Sequence, residues 1–217
     1  MGIKSAALAL AIIASSVSAL DYVLVQEYLA PPEISQAAFT GNNVLEGLDC
    51  LGKIPASLCE EYKGYILSST EKYFPYRCAS KFSPQKFAVV IYFQAQHESA
   101  KTWNKNAYLA ADPKKGIILA SHGLMQFTED TSNYLGIGKA GAYEPRIAIP
   151  AAVKYMASFL TNPKTGCNYG LALAAYNAGP KYIGTIPQNR WTPNYVGMIS
   201  SEVESYWRSV QLAAPTD

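Results

Sequence analysis

Helix boundaries punctuate this chain and strand periodicity is nearly missing from it, and that pairing restricts its fold more than any other feature. From Pro55 to Tyr73, the residues Leu58, Tyr62, Tyr65 and Ile66 recur at the spacing that places side chains on one helical face. Ser83-Pro84 supplies a capping hydroxyl followed by a proline, whose fixed φ and missing N–H suit the first helical position. Phe87, Val90, Ile91, Gln94 and Glu98 then share a face, so the helix predicted here ends in a carboxylate. Thr128 can cap a helix with Glu129 and Asp130 in its first turn and Gly136 as a left-handed stop. Pro150 is expected to start a helix through Leu160, and Tyr169 to Ala178 reads as a small-residue helix closed by Gly179-Pro180. Thr192-Pro193 is expected to cap a last helix reaching about Val210. Alternation of apolar and polar residues over four or more positions is scarce outside the N-terminal segment, so the expected class is mainly α.

The 217 residues, 49% of them hydrophobic, suffice for one domain with a real core. Charged residues make up 16% and the net charge is +2, so no basic field points to nucleic acid. The two histidines, His97 and His122, stand without a CxxC or HExxH, so no metal and no cofactor is expected. Sixteen tyrosines, each an apolar ring with a polar tip, suit cores and sugar-binding grooves alike.

Lys4 precedes an uncharged run from Ser5 to Leu20, and Val17-Ser18-Ala19 puts small residues where a signal peptidase cuts. Residues 1–19 are therefore expected to be a signal peptide, and the protein to be exported to the periplasm or cell wall. The apolar run falls short of the roughly 20 residues that span a bilayer, so no integral membrane segment is expected after cleavage. Residues 20–80, with a break at Ala30-Pro31-Pro32, read as an N-terminal extension packing on or linking to a domain at 81–210, and 211–217 as a C-terminal tail. Four cysteines in an exported chain fit two disulfides. Three pairings are open. The preferred one joins Cys50 to Cys59 around a short loop and Cys78 to Cys167 between a helical region and a late loop.

Three motifs occur in order along residues 84 to 208: Gln96-His97-Glu98-Ser99, Gly123-Leu124-Met125-Gln126, and Ala174-Ala175-Tyr176-Asn177-Ala178-Gly179-Pro180, followed by Ile186-Pro187 and Tyr195-Val196. With Glu144-Pro145 and the Ile149 to Tyr155 pattern between them, this order resembles the lytic transglycosylase catalytic domain, a family of goose-lysozyme-like fold that cleaves peptidoglycan. The resemblance implies a lysozyme-like helical domain with a groove for glycan strands. The short form is similar to accessory enzymes of secretion, conjugation or virus-entry assemblies.

Glycosidic cleavage needs a carboxylic acid that stays protonated near neutral pH. Alone, Glu98 would read as an ordinary surface glutamate. Its place at a helix C-terminus, where unpaired carbonyls carry roughly half a negative charge, should raise its pKa, and positions 91, 94 and 95 hold no cation to undo this. Glu129, Asp130, Asp112 and Glu144 have structural explanations, so no second catalytic carboxylate is evident. The resemblance implies that one glutamate acts as acid and then as base, closing a 1,6-anhydro ring, and places Gly123, Met125, Gln126, Tyr176 and Asn177 in the groove as substrate-binding residues. Met125 reads equally as core, Asn177 and Ser99 as braces, and His97, turned about 100° from Glu98, as incidental. Departures from the family pattern are the long stretch from Ser99 to His122, Ala107-Tyr108-Leu109-Ala110 in place of an Asn-Pro turn, and Trp191-Thr192 in place of a Glu-Thr pair; Ser121 is a candidate for the serine near the altered loop. A goose-type hydrolase and a non-catalytic wall-binding module are the alternative readings. Retention of Glu98, Gln126 and Tyr176 together speaks against the second.

Overall fold

Where each helix starts follows from local capping, and where it packs follows from its apolar face. The structure, a computed structural model, describes residues 44–213 apart from Gly116, Ile118 and Arg190; the expected signal segment, the Ala30-Pro31-Pro32 break and residues 214–217 lie outside them. Among the described residues there are seven α-helices: α1 (Ala56–Tyr73), α2 (Pro84–Glu98), α3 (Glu129–Tyr134), α4 (Gly138–Ala142), α5 (Pro145–Thr161), α6 (Tyr169–Ala178) and α7 (Thr192–Ala213). Three two-residue strands, β1 (Tyr108–Leu109), β2 (Ser121–His122) and β3 (Phe127–Thr128), form an antiparallel sheet in chain order, with Tyr108 opposite His122 and His122 opposite Phe127. The chain is mainly α, as expected.

Ser83 caps α2 by accepting from the Lys86 N–H at 3.1 Å, and Thr128 caps α3 by accepting from the Thr131 N–H at 3.2 Å. Gly136, at φ +71°, follows α3 as its left-handed stop. Two expected starts move. Pro150 lies inside α5, which begins at Pro145; burial of Ala148 and Ile149 ahead of it offsets the roughly 3 kcal/mol that an interior proline costs. Thr192 is the first residue of α7 rather than its cap, because Asn189 Oδ1 accepts from the N–H groups of Trp191 (2.9 Å) and Thr192 (2.7 Å). α4, a Gly- and Ala-rich turn without apolar periodicity, left no sequence signal.

α2 is the axis of the fold: every residue from Phe87 to Gln96 is buried. α1 and α7 pack against it, α5 packs on α1 and α6, and α6 on α7. One apolar cluster runs from Val44 to Val203, so residues 44–80 share the core of the rest. Lys63 is buried with them. Its Nζ donates to the carbonyls of Leu45 (3.1 Å) and Leu48 (3.0 Å) and pairs with Glu60, while Tyr206 Oη donates to Val44 O and Tyr92 Oη accepts from Cys50 N–H. Disulfides join Cys50 to Cys59 and Cys78 to Cys167, the preferred pairing.

Candidate active site

Glu98 is the last residue of α2, and the chain beyond it turns sharply so that the carboxylate is left at the helix end. Ala100, Lys101 and Trp103 all have positive φ (53°, 62° and 56°), a conformation costing on the order of 1–3 kcal/mol for each non-glycine residue. Burial of Trp103 offsets it: the indole is completely enclosed, with ring centroids 4.8 Å from Tyr92 and 6.5 Å from Tyr62. Ser99 braces the turn by donating to Gln96 O and accepting from the Trp103 N–H at 3.0 Å. His97 is not incidental to the fold. Its Nε2 meets Glu202 of α7 at 2.8 Å, and the same glutamate holds Lys101, so the nitrogen-bearing side chains nearest Glu98 in sequence are engaged by α7.

The Gly-Leu-Met-Gln segment is the loop between β2 and β3. Gly123 has φ +76°, and a Cβ there would fall 1.7 Å from the carbonyl oxygen of Ala142, so only glycine permits this approach of loop to α4. Gln126, itself at φ +50°, gives its amide to its own surroundings: Oε1 accepts from Ser121 Oγ at 2.7 Å, and Nε2 donates to Gly123 O at 2.8 Å and Ala107 O at 3.3 Å. Both amide hydrogens are thereby engaged, and one Oε1 lone pair remains. Met125 is completely buried, and its carbonyl accepts from Tyr176 Oη at 2.9 Å. The Tyr176 ring packs against Phe127 and Tyr155 at 6.0 and 5.7 Å. Asn177 Oδ1 accepts from Thr192 Oγ1 at 2.8 Å, which ties the end of α6 to the start of α7 rather than bracing its own turn.

α7 brings in the residue that sequence reasoning passed over. Tyr195 Oη donates to Glu98 Oε1 at 2.6 Å. Its signal was present, since Tyr195-Val196 belongs to the ordered motifs, but nothing local says that the hydroxyl meets a side chain 97 positions earlier.

Glu98 keeps a partly accessible edge while its carboxyl lies among packed atoms. Burial pushes its pKa up from 4.5 to about 7, against the opposing pull of the Tyr195 hydrogen bond. The direction agrees with the sequence reading; the leading cause is desolvation. Tyr195 and Tyr176 are held well above the ordinary tyrosine value, by burial first and then by the Glu98 charge, so both remain hydroxyl donors across neutral pH. Among the described residues, no second carboxylate perturbs Glu98. Glu129 and Asp130 sit in the first turn of α3 and line a separate hollow with His122 and Thr128, and Glu144 precedes α5. His122, below its ordinary pKa through burial, is bound to Tyr143 Oη at 2.8 Å and stacked on Tyr108. No group of three or more His, Cys, Asp or Glu side chains among the described residues is arranged to hold a metal ion.

A single glutamate with a raised pKa, held by a tyrosine at the edge of a helical domain, suits proton donation to a leaving oxygen. No solved structure matches the chain. The family model described as Transglycosylase SLT domain matches residues 81–194, more than half of the chain and a span that contains Glu98, Gln126 and Tyr176. The chain therefore belongs to the SLT transglycosylase family, the peptidoglycan lytic transglycosylases, and its helical fold is the lysozyme-like one of that family.

Proposed function

We propose that the protein is an exported lytic transglycosylase that cleaves the β-1,4 bond between MurNAc and GlcNAc and leaves a 1,6-anhydro ring. The observation that carries this reading is the Glu98 carboxyl, raised to about 7 by burial, hydrogen-bonded by Tyr195 and perturbed by no other carboxylate among the described residues. Glu98 gives its proton to the glycosidic oxygen as the bond from that oxygen to C1 breaks. The resulting carboxylate then takes the proton of the sugar's C6 hydroxyl as O6 closes onto C1, which restores the acid. An attacker within the same sugar acts at effective concentrations of roughly 10⁵ M or more, far above water, so a site with one carboxylate favours ring closure over hydrolysis. The substrate's acetamido oxygen, as the family resemblance implies, stabilises the sugar cation between the two steps.

In this reading Tyr195 keeps the carboxyl aimed, Tyr176 ties the loop of residues 123–126 to α6, Gln126 braces that loop on Ser121 and Ala107, and the remaining Gln126 lone pair accepts from a sugar hydroxyl or acetamido N–H. Two disulfides and the N-terminal signal pattern support export. No helix among the described residues is long and apolar enough to cross a membrane. A role in opening a local gap in the wall for a secretion, conjugation or virus-entry assembly is part of the same proposal.

Digestion of purified sacculi followed by mass spectrometry tests the reaction. The expected fragments lack a reducing end and weigh one water less than hydrolysis products. Reducible termini carrying that water would make the protein a goose-type hydrolase, and sacculus binding without fragments would make it a wall-binding module.

A further inference from the structure

Four buried side-chain atoms among the described residues have no hydrogen-bond partner, and two of them are the amide nitrogen and oxygen of one residue, Gln94. Gln94 is completely buried in α2, one turn before Glu98 and on the same face. An unpaired amide in a dry interior costs about 1–3 kcal/mol, a cost that a methionine or leucine of similar length would not incur, so packing alone does not account for the residue. Its side chain lies beside the Tyr195 hydroxyl, the group that donates to Glu98 at 2.6 Å. A tyrosine hydroxyl has one hydrogen and two lone pairs. The hydrogen is committed to Glu98, and the oxygen can accept from a donor.

We propose that Gln94 is a positioning residue: as Glu98 gives up its proton, the Gln94 amide donates to Tyr195 Oη, and the chain Nε2–H to Oη–H to Oε1 holds the tyrosine on the new carboxylate. This rests on the reading of Glu98 as the acid. In the structure the Gln94 amide lies beside the Tyr195 oxygen, close enough to act on it, without completing a hydrogen bond. Once Glu98 is charged, its Tyr195 hydrogen bond becomes charge-assisted, and a second bond accepted by Oη makes the hydroxyl a better donor. No covalent bond changes in this step; the proton leaves Glu98 for the glycosidic oxygen and returns from the C6 hydroxyl. The titratable groups facing the carboxyl are Tyr195 of α7 and Tyr176 of α6, while His97 and Lys101 are engaged with Glu202.

The test is Q94M, with Q94L as a second variant should the first fail to fold. Two properties should move in opposite senses. The melting temperature should stay level or rise, because a buried unpaired amide has been removed. The alkaline limb of kcat/KM should move up by about half to one pH unit, and kcat should fall about three- to tenfold with KM unchanged, because the carboxylate has lost support. Carbon-13 titration of the Glu98 carboxyl should show the same upward move without any turnover, and in a Y195F background Q94M should shift neither quantity. A raised melting temperature with an unmoved Glu98 titration overturns the proposal whether or not the protein is an enzyme. A shifted titration in a protein that releases no muropeptide supports the hydrogen-bond chain and sinks the enzymatic reading instead.

Discussion

With Glu98 in the role proposed for it, a carboxyl raised to about 7 couples activity and stability to the same pH range. Folding raises Glu98 from 4.5 to about 7, so the native state binds this proton more tightly than the unfolded chain does. Stability from this group is greatest below 4.5, falls as pH rises towards about 7, and levels off above it. The total loss is at most on the order of 2–3 kcal/mol for a carboxyl that keeps an accessible edge. E98Q cannot ionise there. It should match the parent near pH 4, exceed it in melting temperature at pH 8, and release muropeptides about 10²- to 10⁴-fold more slowly; thermal scans and sacculus digestion over a pH series check both halves. The parent's own rate should decline above about pH 7 as the acid loses its proton. Gly123 carries a different kind of constraint. G123A would drive a methyl group to 1.7 Å from Ala142 O at a φ of +76°, so the loop and α4 must separate. A loss of at least about 3 kcal/mol in urea denaturation is expected; an unchanged midpoint would mean that the contact with α4 is dispensable.

Between elements, the two disulfides differ in what they restrain. Cys50–Cys59 closes a separation of 9 residues and Cys78–Cys167 one of 89, and the latter ties the turn before α2 to the segment between α5 and α6. On the chain-entropy argument the longer bridge contributes about 2 kcal/mol more. The C78S/C167S variant should therefore melt well below C50S/C59S. Equal losses would show that strain or residual structure in the unfolded chain governs both. The caps belong to this scale as well. Ser83 and Thr128 were legible because a capping side chain and the N–H it satisfies lie within one turn. Pro150 misled because a proline also marks a helix start, and only the burial of Ala148 and Ile149 shows that α5 is already under way.

For the molecule as a whole, residues 44–80 share one hydrophobic core with the helices that follow. They supply Leu45, Tyr62, Ile66 and Phe74 to the common core, both cysteines of one bridge and Cys78 of the other. A chain beginning at residue 81 should accordingly bind a hydrophobic dye and lose its near-ultraviolet circular dichroism. A cooperative melt of that fragment would show instead that the segment is an accessory layer.

The mainly helical class, the long helices, the carboxylate at the end of α2 and the glycine of the 123–126 loop were readable from sequence by itself, because periodicity, capping and left-handed turns are decided within a few residues, whereas the role proposed for Glu98 came from the order of the motifs. Tertiary structure alone decided that Tyr195 meets Glu98 across 97 positions, that Gln94 lies beside that tyrosine, and that Gln126 spends its amide hydrogens on Gly123 O and Ala107 O. It also decided the pKa of the acid. Helix position predicted the direction, but desolvation is the sum of atoms delivered by several elements, and no window of sequence contains that sum.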